Sequence, residues 1–230
     1  MFNVIFEVRP RAGEFDRYLE LAQQLKPALT AVDGFIDNER FASLQRPGWV
    51  LSLSTWRDEK SLVRWRTDAQ HHRVQALGRA QVFDDYRLQI GEVFADSDAG
   101  PGELPNQQRF DETEIGSAKA LTVTELLGPA AAAQAWVQRA SRAMGAAPDT
   151  PIGIELYESI YTPCKVCALA AWRSAAAAQR WMPAGEAGVR LLRHRGLRVV
   201  RAYGLHDRRE APQFHAERTS TAAAPAGSGG

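Results

Sequence analysis

Cysteine is nearly absent from this 230-residue chain: there are two, Cys164 and Cys167. They form a C-x-x-C, a spacing that suits a redox pair or half of a metal site. The surrounding Pro163-Cys164-Lys165-Val166-Cys167-Ala168-Leu169-Ala170 reads as a strand, on which alternation sends the two side chains to opposite faces. A redox pair wants a helix N-terminus to lower a thiol pKa, and no second Cys/His pair completes a zinc site. Packing cysteines and no metal site are expected. Charge of one sign is also missing. Lys and Arg number 28 against 27 Asp and Glu, for a net charge of +1, which removes the basis for bulk attraction to nucleic acid or an acidic membrane. No apolar run approaches the length of a membrane span, and Met1-Phe2-Asn3-Val4-Ile5-Phe6-Glu7 lacks the basic-then-apolar order of a signal peptide. A cytoplasmic protein without membrane or nucleic-acid partners is expected.

Apolar residues make up 45% of the chain, enough for a substantial core. Phe2 to Arg9 alternates as a first strand, and Glu14 to Thr30 carries a helical stripe of Phe15, Tyr18, Leu19, Ala22, Leu25 and Leu29, with Pro27 marking a kink or terminal turn. Asp33-Gly34 signals a turn. Phe35 to Ser43 and Trp49 to Trp56 are strands joined by the hairpin Gln45-Arg46-Pro47-Gly48. Asp58 is the expected N-cap of a helix with Leu62, Val63 and Trp65; a further helical segment covers His71 to Arg79, and Phe83 to Phe94 is the fourth strand. The order β-α-β-β-α-β is the ferredoxin-like split βαβ unit.

The order then restarts. Lys119 to Leu127 is a strand, a helix runs from Gly128-Pro129 to Met144, and Ile152 to Ile160 with Cys164 to Trp172 forms a hairpin. Ala175 to Trp181 is helical, Glu186 to Arg193 is expected to continue it, and Leu197 to Leu205 closes the unit. An offset of 116 maps Glu39 to Glu155, Ser43 to Ser159, Trp56 to Trp172, Arg57 to Arg173, Arg64 to Arg180 and Trp65 to Trp181 without a gap. The chain therefore reads as an internal duplication: a domain at 1–96, a linker at 97–117, a second domain at 118–209 and a disordered tail at 210–230. A four-stranded antiparallel sheet with helices on one face must bury the other. The expected fold class is thus α+β, two tandem ferredoxin-like repeats packed sheet against sheet as an intrachain pseudo-dimeric barrel.

Asp33-Gly34-Phe35 leading into Glu39-Arg40, Leu51-Ser52-Leu53-Ser54-Thr55-Trp56-Arg57, Trp65-Arg66, His71, Arg73, Gly78-Arg79 and Asp85-Tyr86-Arg87 together resemble the antibiotic biosynthesis monooxygenase family of dimeric α+β barrels. The likeness covers the first repeat; the second follows it in outline. It implies a pocket between sheet and helices in each unit. Some members are cofactor-free oxygenases of anthrone-type aromatic polyketides, and others degrade haem with an Asn, a Trp and a His ligand. Trp65 matches the helix tryptophan of both groups. The Asn and His of the haem-degrading pattern fall here on Phe6 and Gln75.

His71, His72 and Arg73 map by the offset to Ala187, Gly188 and Val189, so this polar cluster occurs once. Packing that both units need should survive in both; a group present once is free to be functional or a solvated helix face. Neighbouring helical side chains point about 100° apart, so one histidine at most faces a pocket squarely. The reading is a small aromatic or polyketide-like substrate and dioxygen, with no cofactor. His71 or His72 acts as base, Arg79 stabilises charge, and Trp65, Arg73, Phe35, Tyr86 and Arg87 bind substrate. Haem binding, with His71 or His72 as the ligand, and a non-catalytic small-ligand module are the alternatives. A monomeric pseudo-dimer and a homodimer of tandem repeats fit equally.

Overall fold

The computed structural model describes residues 1–100, 102–144, 150–181, 183 and 185–212. The first half contains β1 (Phe2–Pro10), α1 (Phe15–Thr30), β2 (Phe35–Ser43), β3 (Val50–Trp56), α2 (Glu59–Thr67), α3 (Ala69–Leu77), a π-helical turn (Gly78–Val82) and β4 (Phe83–Asp96). The second contains β5 (Ala120–Leu127), α4 (Ala130–Ala143), β6 (Gly153–Ser159), β7 (Lys165–Trp172), α5 (Ala175–Arg180) and β8 (Arg190–Gly204). Local chemistry accounts for the boundaries. Asp58 caps α2, its carboxylate accepting the Ser61 amide at 2.8 Å. Gly34 turns the chain at φ +87°, where a Cβ would collide with the Ser61 side chain.

All eight strands form one closed barrel in the order β1-β3-β2-β6-β7-β5-β8-β4. Each half supplies a ferredoxin-like four-stranded sheet, and the halves join twice: β2 against β6 at Phe41–Ser43, and β4 against β8 from Arg87 to Asp96. The tandem pseudo-dimeric α+β barrel expected from the sequence is the fold. One expectation fails. Glu186 to Arg193 is not helical: Glu186 and Val189 form a tight bridge around Gly188 at φ +86°, and β8 already begins at Arg190. The linker stretch hugs the barrel, with the Gln108 and Arg109 amides donating to Glu92 and the Thr113 amide to the Val199 carbonyl. Glu210, where the tail was expected to begin, accepts from Thr113 Oγ1 and the Ala202 amide; from 213 onward that tail lies outside the described residues.

Residues that recur at the 116 offset meet at the seam. Ser43 Oγ donates to Glu155 at 2.7 Å and Ser159 Oγ to Glu39 at 2.6 Å, a reciprocal exchange across the β2–β6 join. Inside the barrel, Glu7 accepts from Arg46, Arg87 and the Tyr157 hydroxyl. Burial opposes its charge, but these partners outweigh it and hold the carboxyl below its ordinary range. Glu125 sits in the matching place, paired with Lys165 at 2.7 Å and Arg195 at 2.5 Å. Arg195 then donates to Thr55 Oγ1 of the first half. Around these charges pack Ile5, Phe41, Leu51, Leu53, Leu121, Val123, Leu169, Leu197 and Val199, all buried. Cys167 lies among them, its thiol pushed up by burial, whereas Cys164 is exposed in the turn before β7. The two cysteines thus separate because the strand begins after the first of them.

Removing one partner of a buried ion pair strands the other. Because Arg195 is 1% exposed, Glu125→Ala should lower the unfolding free energy at pH 7 by about 3–5 kcal/mol in urea titration. A loss below ~1 kcal/mol would show that the Glu125–Arg195 pair does not stabilise the barrel.

Candidate functional site

The barrel's outer face carries the helices, and in the first half it does so over a cavity of about 880 Å³. Its floor follows from strand register. One row across the sheet runs Arg40, Ser52, Phe6, Leu88 and Tyr203, on β2, β3, β1, β4 and β8; the next runs Asn38, Ser54, Val4, Ile90 and Arg201 on the same strands. All ten line the cavity. The fifth strand belongs to the second half, so neither half builds the floor alone. The floor is polar at the β2–β3 end, apolar through β1 and β4, and polar again at β8. Asn38 Nδ2 donates to Ser52 Oγ at 3.0 Å and Trp56 Nε1 to Ser54 Oγ at 2.9 Å, leaving each serine O–H to donate elsewhere.

The roof is made of α1 with Tyr18, Leu21, Leu25 and Leu29, and of α2 and α3 with Leu62, Trp65, His71, His72, Val74 and Gln75. Asp68 ends α2 and caps α3, its carboxylate accepting the His71 amide at 2.8 Å. The resulting corner presses His71 flat on Trp65, with ring centroids 4.1 Å apart and planes 14° from parallel. His71 Nδ1 lies 2.9 Å from the Trp65 carbonyl oxygen. A carbonyl only accepts, so Nδ1 carries the proton and Nε2 holds the lone pair. Burial pushes the His71 pKa down to about 4, against the partly compensating carbonyl contact and Asp68. The imidazole is therefore neutral throughout the physiological range, with its lone pair on Nε2.

Charge in the cavity wall is one-sided. Six arginines line it (Arg40, Arg66, Arg79, Arg201, Arg208 and Arg209) against one carboxylate, Glu59, which is itself paired with Arg109 at 2.8 Å. Arg208 reaches from beyond β8 to donate to the Tyr86 hydroxyl, and Tyr203, desolvated and close to Tyr86, has its pKa pushed up to about 12.

The structure brings together five of the residues singled out from the sequence: Trp65, His71, His72, Arg79 and Tyr86 all line the cavity. Three stand apart. Phe35 packs edge-on against Trp56 at 5.4 Å, Arg87 turns to Glu7 on the opposite face of β4, and Arg73 is exposed on α3. Both histidines touch the cavity, with His71 held beneath Trp65. Phe6 and Gln75, where haem-degrading members place Asn and a His ligand, are an aromatic floor tile and an amide in the roof, so that donor set is not assembled. Sequence reasoning missed the polar floor and the contribution of β8. The offset contained the first signal: Asn38, Arg40, Ser52 and Ser54 map to Ile154, Leu156, Ala168 and Ala170.

In the second half those four sit in an apolar cluster with Trp136, Trp172 and Trp181. Trp181 meets Trp136 at 6.2 Å and Trp172 at 5.6 Å, filling the space that the first half leaves open.

Residues 1–77 match the profile of the family described as antibiotic biosynthesis monooxygenase. The chain is 39% identical over 222 residues to the jasmonate monooxygenase ABM of Pyricularia oryzae, spanning 94% of this chain and 98% of that protein. Among solved structures, an antibiotic biosynthesis monooxygenase is 20% identical with a TM-score of 0.36, covering 44% of this chain and 100% of its own. An anthrone oxidase-like protein is 15% identical with a TM-score of 0.34, covering 92% and 96%.

A histidine whose folded pKa of about 4 lies below its ordinary 6.5 binds a proton more readily when unfolded, so its stabilising contribution is lost as pH falls from 6.5 toward 4. His194, buried beside Thr124, shifts the same way to about 4. Thermal scans should show Tm declining between pH 6.5 and 5, with a shallower decline in His71→Gln; an unchanged slope in the variant would mean His71 is not buried neutral.

Proposed function

The chain belongs to the antibiotic biosynthesis monooxygenase family, and we propose that its first-half cavity oxidises a small, apolar-bodied molecule with dioxygen. The observation that carries this reading is His71: a neutral imidazole with its proton fixed on Nδ1 and its lone pair on Nε2, in the roof of a cavity with an apolar middle and six arginines in its wall. The substrate that suits such a site bears a C–H or O–H acidified by a carbonyl or an aromatic ring. Small aromatic, polyketide-like molecules have that chemistry, and so does jasmonate, a ketone and the substrate named for the Pyricularia relative.

In this scheme His71 Nε2 removes the proton, and the arginines hold the resulting negative charge, among them Arg66 on α2 and Arg79 on the π-helical turn after α3. An anion beside the imidazolium raises its pKa, so the base strengthens as the charge forms. The carbanion transfers an electron to dioxygen and the radicals couple to a hydroperoxide. Loss of water then leaves one oxygen on carbon, so CH₂ and O₂ become C=O and H₂O with no external reductant. Trp65 supplies a flat wall, and the roof of α1, α2 and α3 keeps bulk water from the carbanion. Because the barrel closes within one chain, the unit acts as a monomer in this reading, with the small molecule and dioxygen as its partners.

Offered jasmonic acid and, in parallel, an anthrone, the purified chain should take up oxygen and carry one ¹⁸O from ¹⁸O₂ into the product of at least one of them. His71→Ala should lower kcat by roughly 10²–10⁴-fold, while His72→Ala stays within a few-fold. Since kcat/KM reports the free enzyme, it should be flat from pH 8 to 5 rather than falling near 6.5. Turnover unaffected by His71→Ala, or a break near pH 6.5, would remove His71 from the role of base.

A further inference from the structure

We infer that the β2–β3 end of the cavity floor is the seat of a substrate carboxylate, gripped by Arg40 with Asn38 and Ser52 beside it. The inference rests on the reading of this cavity as the substrate site and names the substrate class as an organic monocarboxylate with an apolar body.

Among the described arginines of the cavity, Arg40, Arg66, Arg79, Arg201 and Arg208 have no carboxylate within ion-pair distance, and of these Arg40 is the one whose Nε is buried without a partner. Arg46, Arg193, Arg195 and Arg198 each pair with a carboxylate: Glu7, Asp96, Glu125 and Glu92. Arg40 has no carboxylate within ion-pair distance among the described residues. The Tyr18 and Tyr161 hydroxyls lie beside its guanidinium instead, and its Nε is buried without a partner. Both are phenols, and burial pushes the Tyr18 pKa upward, so they do not cancel the charge. A half-buried cation that lacks an anion carries a partial desolvation cost that an incoming anion relieves. Beside it, Ser52 accepts from Asn38 and keeps its O–H to donate.

The second half supplies the control that evolution of a duplicated chain provides. Arg40 pairs in register with Ser52 and Asn38 with Ser54; at the matching pairs Leu156 faces Ala168 and Ile154 faces Ala170. The barrel tolerates an apolar quartet at these positions, so the fold does not require the polar one. A carboxylate on Arg40 leaves the apolar body lying across Phe6 and Leu88, toward Trp65, which packs with Ile90 of β4 and Val200 of β8 and carries His71 stacked on it. From β2 to β4 is three strand spacings, about 14 Å, which fits a molecule with its acid at one end and its reactive carbon well away from it.

The test is calorimetric titration of the full chain with jasmonic acid and with its methyl ester, which replaces the charged carboxylate by a neutral group one methyl larger. The wild type should bind the acid about 10- to 100-fold more tightly. Arg40→Met should erase that preference, Arg40→Lys should keep part of it, and Arg73→Met, removing the same charge from the exposed face of α3, should leave it intact. Equal affinity of the wild type for acid and ester, no binding of the acid, or a preference that survives Arg40→Met would overturn the inference. The wild-type comparison decides even if Arg40→Met fails to fold. Turnover is not read, so an acid-selective but inert chain would sink only the oxygenase reading, and an active chain indifferent to the ester would sink only the seat.

Discussion

A ferredoxin-like sheet covers one face with its own helices and leaves the other bare, and that unburied face is the constraint from which this molecule follows. Two copies in tandem resolve it by closing all eight strands into one barrel, with the bare faces turned inward. The closure is not purely apolar. Glu7 and Glu125, with Arg46, Arg87, Lys165 and Arg195, place paired charges inside, and the Glu39/Ser159 and Glu155/Ser43 exchange fastens the β2–β6 seam. Those ion pairs lie within one half each; the two Glu–Ser bonds, with Arg46 on Glu155, Lys165 on Glu39 and the Tyr157 hydroxyl on Glu7, reach across and set the register of the two halves against each other.

Closure also decides where a site can form. β8 runs from Arg190 to Gly204 and pairs with β4 along most of its length, so Arg201 and Tyr203 extend the first half's floor by a strand. Beyond it Arg208 returns to Tyr86. The second half has spent its equivalent space on packing. Its α5 is six residues long, a turn around Gly188 replaces the α3 that carries His71, and three tryptophans fill what remains. The first half thus builds the roof and four strands of the cavity floor, and the second half lends it β8 and keeps a packed interior of its own.

The sequence made the fold legible because its signals are local and repeated: alternation in the strands, the Asp58 cap, the Asp33-Gly34 turn and the gapless 116 offset all point one way. It misled at Glu186 to Arg193, where helical apolar spacing was outweighed by Gly188 in a left-handed turn and by the ladder that β5 offers to β8. For the site, His71 and Trp65 stood out because the helix pattern isolates them. Arg201, Tyr203 and Arg208 did not, since their neighbours across the β4–β8 join lie more than a hundred residues away and no local pattern marks that pairing. Asn38, Arg40, Ser52 and Ser54 were readable in principle: polar residues on the helix-facing side of buried strands, replaced by apolar ones in the second copy.

The central claim is that one cavity, floored by five strands from both halves and roofed by α1, α2 and α3, is where this chain meets its substrate. A crystal structure of the full chain with jasmonic acid tests it most directly. The account predicts the ligand lying across Phe6 and Leu88, between Arg40 and His71, and in contact with β8. A ligand seated against Trp136 and Trp181 in the second half, or inside the barrel among Glu7 and Glu125, would contradict it.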